Sequence, residues 1–335
     1  MRPFVASIGQ NLSTQVTIAN ALNTLQKRYT MTKTTMRATD AKSLILSLDI
    51  KTKKVTEQTS AMNAKEFMLS GGQGIYTAMR TVCGGRRVFL LDDHLQRLSN
   101  SHRMVLGSGG HRCDAEYWRN LLVPLIRRGL DSFREISDED RKITVLVDND
   151  HISLQLTSLG APREGYCWVR FVHGRRENPE AKDLQWVHAR EKLEELIVPP
   201  INEVVLADPE DSSGARAYEG LSSNFFATRR ISSDKKPDYA NFELLSAPLD
   251  SVLLGTIMKL VLRICERDCI RVVYDLSVDF GRWNGAFVSS TSRLVLPVSK
   301  VITDLGEHPL DKSDPLVLHL LESVKGLARE QSTEI

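Results

Sequence analysis

A short stretch near the middle of the chain, residues 158–165, limits what this sequence can fold into. It contains Gly160, Pro162 and Gly165, which are typical of a segment that connects folded units. A chain of 335 residues is long for a single hydrophobic core, so a connection at this place favours two domains. We predict a smaller domain over residues 40–157 and a larger one over residues 166–330.

Both predicted domains mix strands with helices, which indicates an α/β (mixed α+β) fold. Leu44, Leu46 and Leu48 alternate as in a strand, and Gly84-Gly85 suits a hairpin between strands 74–82 and 87–91. Asp92 or Asp93 is expected to cap the next helix. Further strands are predicted at 143–147, 152–156, 167–172, 203–207, 224–228, 286–289 and 294–298, and helices at 115–133 with a break near Pro124, 184–196, 252–267 and 316–327.

The first 39 residues form an extension with an unusual charge pattern. They carry five basic residues and no acidic one, and they are rich in serine, threonine, asparagine and glutamine. This composition is compatible with a mitochondrial or plastid transit peptide. We favour the simpler interpretation, a polar and partly disordered extension on a cytoplasmic protein.

Composition argues against several classes of function. The net charge is +2 and no basic stripe is present, so nucleic acid is not an expected partner. The longest apolar stretch, residues 252–264, contains Lys259 and is shorter than the roughly 20 residues of a membrane helix. Cys265 and Cys269 have no histidine motif beside them, so no metal site is expected.

Five short motifs follow one another along the chain. A lysine, Lys182, lies at a strand-to-helix junction, and Glu219 opens a turn of small residues that leads into Phe225 and Phe226. The others are the segments 93–98 (DHLQRL), 254–257 (LGTI) and 287–292 (FVSSTS). In this order the motifs resemble the class IV (fold-type IV) pyridoxal-phosphate enzymes, over roughly residues 71–298. That family includes branched-chain aminotransferase, D-amino acid aminotransferase and aminodeoxychorismate lyase.

The resemblance implies a two-domain fold with pyridoxal 5'-phosphate bound between the domains. Lys182 would form the aldimine with the cofactor and then move protons, and Glu219 would face the pyridine nitrogen. The phosphate would be held by Arg97, whose guanidinium suits phosphate, and by the free N–H groups of a helix start. The phosphate site is completed by Gly255, Thr256, Ile257 and Thr291.

The residues that the resemblance places beside the substrate are Tyr76, Arg80, Ser292 and Arg293. Arg293 stands where aminotransferases of this family tend to have small residues. Three interpretations of it stay open: it points away from the site, it recognises a second carboxylate, or it blocks substrate access.

The resemblance predicts an aminotransferase that moves an amino group between an amino acid and a 2-oxo acid. Two alternatives remain, a lyase of the aminodeoxychorismate type and a relative that has lost catalysis. The family also implies a homodimer in which a loop of the neighbouring subunit closes the site.

Overall fold

The computed structural model describes residues 43–107, 113–134, 139–159, 165–208 and 215–335, in which two β-sheets carry the helices. The predicted extension 1–39 and most of the linker 158–165 lie outside these residues, so the domain boundaries stay a prediction. Among the described helices, none is long and apolar enough to cross a membrane. The strands are β1 (Ser43–Asp49), β2 (Val55–Ser60), β3 (Ile75–Val82), β4 (Arg87–Phe89), β5 (Arg141–Val147), β6 (His151–Ser158), β7 (Cys167–His173), β8 (Ile201–Ala207), β9 (Ala217–Gly220), β10 (Asn224–Arg230), β11 (Phe242–Ser246), β12 (Val272–Val273), β13 (Ala286–Ser290), β14 (Leu294–Thr303), β15 (Gly306–Pro309) and β16 (Ser332–Glu334); the helices are α1 (Ala64–Ser70), α2 (Leu91–Val105), α3 (Ala115–Arg134), α4 (Leu184–Ala189), α5 (Glu191–Glu194), α6 (Thr256–Arg267) and α7 (Pro315–Gly326).

The first sheet has 7 strands in the order β16-β4-β3-β5-β6-β1-β2. All of its neighbouring strands are antiparallel. One face packs on α2 and α3, and there Leu46 of β1 shares a core with Leu95 and Leu98 of α2. The opposite face packs on α1 and α4 and carries Tyr76. The expected alternation of β1 and the apolar face of α2 are therefore confirmed.

The second sheet has 9 strands, and part of it closes on itself. Strand β9 pairs with β8 on one side and with β10 on the other, so β10-β13-β14-β7-β8-β9 form a ring. Strand β7 lies parallel to both β8 and β14. Helix α6 packs Ile257, Leu260 and Ile264 onto Phe226 and Phe287 in the largest core, as its 3.6-residue apolar period predicts.

The helix expected to be capped by Asp92 or Asp93 begins instead at Leu91, without a side-chain cap. Both carboxylates make ion pairs with other helices. Asp93 contacts Arg263 of α6 at 3.0 Å, and Asp92 contacts Arg119 of α3. The capping prediction is wrong because these side chains are used for contacts between helices.

The helix predicted from residue 252 begins four residues later, at Thr256. Gly255 has extended backbone angles, and the N–H of Leu253 donates to the Glu219 carboxylate over 3.1 Å. Residues 252–255 therefore precede the helix, and Leu253 makes a contact that the sequence pattern does not contain.

Two other helix predictions are also wrong. Helix α3 continues through Pro124, whose exposed position leaves the freed carbonyl one turn earlier accessible to water. The helix predicted over residues 184–196 divides at Arg190 into α4 and α5. The guanidinium of Arg190 donates to the Leu221 carbonyl at 2.7 Å, so this residue joins the helix pair to the second sheet.

Candidate active site

A cavity of about 360 Å³ lies between the two sheets and brings together nearly all of the predicted site residues. Arg80 is the exception, because it does not line this cavity. It lies opposite Lys142 in the β3–β5 ladder, where burial lowers its pKa and Asp140 opposes the shift. The predicted residues that do line the cavity are Tyr76, Arg97, Lys182, Glu219, Gly255, Thr256, Ile257, Thr291, Ser292 and Arg293.

Lys182 lies in the extended segment before α4, with its backbone held from two sides. Its carbonyl accepts the N–H of Tyr76 at 2.9 Å, and its N–H donates to the Ser101 hydroxyl at 2.9 Å. Burial lowers the pKa of Lys182 to about 8, with Tyr76 opposing and the guanidinium of Arg97 assisting the shift. A useful fraction of this amine is therefore uncharged near neutral pH, as a nucleophilic lysine requires.

Tyr76 of β3 is buried beside this lysine, with the Lys182 Nζ 4.8 Å from the centre of its ring. Burial alone would raise the pKa of Tyr76. The positive charges of Lys182, Arg190 and Arg176 outweigh burial and lower that pKa to about 7. The Tyr76 phenol and the Lys182 amine therefore both titrate near neutral pH.

Glu219, on β9, is 4% exposed and has one engaged and one open oxygen. Oε2 accepts the N–H of Leu253 at 3.1 Å, whereas Oε1 has no hydrogen-bond partner among the described residues and lies 3.7 Å from an Arg176 nitrogen. Burial raises the pKa of Glu219, and Arg176 opposes that shift. The free oxygen is positioned to accept a proton or a hydrogen bond from a bound group.

Arg97 and the first turn of α6 form the cationic end of the cavity. The Arg97 guanidinium donates to the Thr77 hydroxyl at 2.9 Å, and its Nε has no partner in the part of the chain that the structure describes. Burial lowers the pKa of Arg97 to about 10, so it stays charged at neutral pH. A Cβ on Gly255 would lie 2.3 Å from the Asn224 amide oxygen, so a larger residue at this helix start would displace the Asn224 side chain. The open N–H groups that follow suit an anion.

His94 connects Arg97 with both walls. Its Nδ1 lies 3.0 Å from the Thr77 hydroxyl and its Nε2 lies 3.4 Å from the Thr256 hydroxyl. Burial, together with the charge of Arg97, lowers the pKa of His94 well below its usual range. A neutral imidazole therefore holds α2, β3 and α6 in register without adding charge.

Sequence analysis missed three cations that line the cavity, Lys142, Arg176 and Arg190. Arg176 faces Glu219, and Arg190 makes an ion pair with Glu194 at 2.8 Å. Arg176 and Arg190 lie in polar segments that carry no signal. Lys142 stands directly before the apolar run of β5, and a charge at such a position is the signal that was available.

Arg293 makes an ion pair with Glu203 of β8 at 2.5 Å, and it also donates to the Asn202 carbonyl at 3.1 Å. The guanidinium is thus bound to the protein, while the residue still lines the cavity. None of the three interpretations above describes Arg293 fully, since its guanidinium is held by Glu203 and Asn202 while the residue lines the cavity. The signal for Glu203 was a carboxylate inside an apolar strand.

Comparison with solved structures shows that this chain has the two-domain fold of fold-type IV aminotransferases. The predicted architecture is therefore confirmed. A branched-chain aminotransferase from the archaeon Thermoproteus uzoniensis, solved with norvaline, has a TM-score of 0.65 and 16% identity, over 87% of this chain and 98% of that chain. A T.th. branched-chain amino acid aminotransferase, complexed with N-(5'-phosphopyridoxyl)-L-glutamate, has a TM-score of 0.63 and 18% identity, over 88% and 98%. A hypothetical aminotransferase from Mycobacterium tuberculosis in an alpha-ketoglutarate and PMP bound form has a TM-score of 0.61 and 15% identity, over 85% and 99%.

The family described as amino-transferase class IV matches residues 74–301, which is more than half of the chain. The protein therefore belongs to the class IV aminotransferase family. No protein of curated function matches the chain in sequence.

The residues of the cavity fit the pyridoxal phosphate on which this family depends. The unpartnered Nε of Arg97 and the open N–H groups at the start of α6 suit the phosphate. The unpartnered oxygen of Glu219 suits the pyridine nitrogen, and the Lys182 amine suits the aldehyde. These groups line one cavity, in which Arg176 Nε and Ser289 Oγ also have no hydrogen-bond partner among the described residues. Several unsatisfied polar groups in one cavity are the pattern expected of a ligand site.

Proposed function

We propose that this protein is a pyridoxal-phosphate-dependent aminotransferase that moves an amino group between an amino acid and a 2-oxo acid. The observation that carries the proposal is the shared cavity of Lys182, the free oxygen of Glu219 and the cationic end at Arg97. Arg97, Thr291 and the N–H groups that open α6 would hold the phosphate. When bound, the cofactor supplies an electron sink for the charge that develops at the substrate α-carbon.

The chain's own residues supply the proton chemistry. The Lys182 amine would take a proton from the substrate α-carbon and deliver it to the cofactor carbon that carries the amino nitrogen, for which its pKa of about 8 is well matched. Arg176 opposes protonation of Glu219, so that the carboxylate can hold a proton at the ring nitrogen. The ring of Tyr76 packs beside the Lys182 amine and so orients the lysine side chain.

The first test is covalent capture of added pyridoxal phosphate. We expect a visible absorption band that borohydride reduction fixes to Lys182, located by peptide mass spectrometry, and its absence in Lys182→Ala. Amino acids should bleach the band, and a 2-oxo acid should restore it. A wild-type protein without the band would establish the non-catalytic alternative, and release of pyruvate without an amino acceptor would establish the lyase.

The substrate class follows from the charges that line the cavity. Arg176, Arg190 and Arg293 have carboxylate partners within 4 Å. Arg97 and Lys182 would serve the cofactor. Lys142 is the remaining cation of the cavity. Its side chain is half-buried and has no hydrogen bond or ion pair with the described residues, and burial lowers its pKa.

We infer that Lys142 receives a second carboxylate, so that one substrate of the pair is a dicarboxylic amino acid or 2-oxo acid. The glutamate adduct of the T.th. enzyme and the alpha-ketoglutarate of the Mycobacterium tuberculosis protein support this class. Lys142 lies four residues along the ladder from the register of Tyr76, roughly 13 Å of strand. That separation suits the far end of a substrate better than the carboxylate next to the reacting carbon.

The variant Lys142→Met tests this substrate class. We expect the KM for a dicarboxylic substrate to rise about tenfold or more, from loss of a charge-assisted hydrogen bond, while aliphatic substrates change little. Lys300→Met is the control, since Lys300 is a partly buried strand lysine outside the cavity. An equal loss for both substrate types would assign Lys142 to the carboxylate that all amino acids share.

The homodimer and the cellular compartment remain predictions from the resemblance and the composition. Sedimentation velocity tests the first, and the location of a fluorescent fusion with and without residues 1–39 tests the second.

A further inference from the structure

A buried carboxylate that the proposed function does not use, Glu203 of β8, lies directly behind the cavity wall. Its side chain is fully buried and does not line the cavity. Three donors reach Oε2: Arg293 at 2.5 Å, the Ser223 hydroxyl at 2.8 Å and the Ser222 hydroxyl at 3.1 Å. A fully buried charge is stable only with such partners, so this arrangement depends on all of them.

The three donors come from two turns that are far apart in sequence and that both line the cavity. One turn, residues 220–223, directly follows Glu219 and joins β9 to β10. The other, residues 291–293, joins β13 to β14. A Cβ on Gly220 would lie 2.3 Å from the Ser223 oxygen and 3.0 Å from the Glu203 carboxyl, so the first turn packs tightly on this group. Glu203 therefore links two walls of the cavity through a single charge.

The same contact decides what Arg293 can do. Its Nη1 donates to Glu203, and its Nη2 donates to the Asn202 carbonyl at 3.1 Å. Both nitrogens at the tip of the guanidinium are thus directed to β8, and the charge is neutralised by a carboxylate. Freed from Glu203, this cation would share the cavity with Lys142 and Arg190 and would compete for an anionic substrate.

We propose that Glu203 is a positioning residue for substrate, which neutralises Arg293 and holds the turns 220–223 and 291–293 at a fixed separation. The inference rests on the proposed function, since it concerns the substrate end of the same cavity. In this proposal Arg293 is a rigid part of the cavity lining. Lys142 is then the cation at that end whose side chain has no partner among the described residues.

The variant Glu203→Gln tests the proposal, because the amide keeps the shape and removes the charge. We expect the KM for the amino acid to rise about tenfold, while kcat and the dissociation constant of pyridoxal phosphate each stay within about threefold of wild type. The matched control is Glu243→Gln, another buried glutamate of the same sheet, paired with Arg229 and Arg271 away from the cavity. An unchanged KM, or a loss equal to that of the control, would overturn the proposal.

A second comparison separates charge from structure. In the double variant Glu203→Gln with Arg293→Met, we expect the KM to return part of the way toward the wild-type value, since the uncompensated cation is gone while the link between the turns stays broken. A double variant as impaired as Glu203→Gln alone would overturn the neutralising role. If Glu203→Gln does not fold, Ser222→Ala with Ser223→Ala gives the same test of the turn, and an unchanged KM there overturns the linking role. A wild-type protein that captures no pyridoxal phosphate would refute the proposed function instead.

Discussion

The two ends of the cavity are built by different means. The end at Arg97 and Glu219 depends on backbone: the open N–H groups of α6, a glycine at its start, and an N–H that holds one oxygen of Glu219. The opposite end depends on long side chains held by ion pairs, such as Arg190 with Glu194 and Arg293 with Glu203.

Because the two ends are built differently, we expect mutations at each end to have different effects. A backbone N–H is removed only by proline, so most substitutions at the first end should matter only where a charged side chain or Gly255 is changed. The second end is a balance of paired charges, so the loss of one partner releases another. Changes at the first end should therefore alter the binding or the reactivity of the cofactor, and changes at the second should alter substrate selection.

The largest effect is expected from Glu219→Gln. An amide does not hold a proton on a ring nitrogen, so kcat should fall by about 10² or more while pyridoxal phosphate remains bound. Steady-state kinetics and the visible spectrum measure the two quantities separately. Retention of most of the wild-type kcat would show that Glu219 does not serve the ring, and the proposed division of the cavity would no longer hold.

The next effect is expected from Arg97→Met, which removes the buried cation of the first end. The dissociation constant of pyridoxal phosphate should rise by roughly 10- to 100-fold, since charge-assisted hydrogen bonds are lost. Saturating cofactor should restore much of kcat, and Arg97→Lys should lie in between. A variant with normal cofactor affinity but a raised substrate KM would place Arg97 at the substrate end instead.

A smaller effect concerns pH. The rate at which the apoprotein captures pyridoxal phosphate should rise about tenfold between about pH 7 and pH 9, since the pKa of Lys182 is about 8 and the uncharged amine reacts. In Tyr76→Phe the midpoint should move to lower pH, because the phenolate that raises the pKa of Lys182 is gone. Stopped-flow absorbance measures both profiles. A midpoint near that of free lysine would show that the amine is not desolvated.

The smallest effect on either end is expected from Asp314→Asn, which serves as a reference for pure stability. Asp314 is fully buried and caps α7, accepting the N–H of Val317 at 2.9 Å and the Thr228 hydroxyl at 2.8 Å. The free energy of unfolding should fall by about 1–2 kcal/mol, measured by urea denaturation. Cofactor affinity and KM should remain unchanged, and a change in either would show that the two ends also respond to remote stability.

The first end of the cavity was largely predictable from sequence and the second was not, for physical reasons. Lys182, Glu219 and Gly255 lie in short motifs whose spacing reflects one turn or one helix start. The partner of Arg293 could not be predicted, because Glu203 lies ninety residues earlier and the pairing of strands around the second sheet brings the two together. Arg176 and Arg190 are likewise placed at the cavity by long-range contacts, Arg176 with Glu219 and Arg190 with the Leu221 carbonyl.

The fold shows the same limit. Strands and apolar helix faces followed from periodicity, as at β1 and α6. The start of α6 and the cap of α2 did not, since long-range contacts of Leu253 and Asp93 override the local preference. The closed ring of the second sheet is also absent from any local pattern, because β9 is only four residues long.

Strand β16 connects the order of synthesis to the completion of the first sheet. Ser332 pairs with Phe89 and Glu334 with Arg87, so β4 gains its outer neighbour only from residues made some 240 positions later. At a ribosomal rate of roughly 5–20 residues per second, β4 waits roughly 10 to 50 seconds with an open edge. During that interval the edge can pair with another nascent chain. Strand β16 therefore closes this edge of the sheet only after β1 to β15 have all been made.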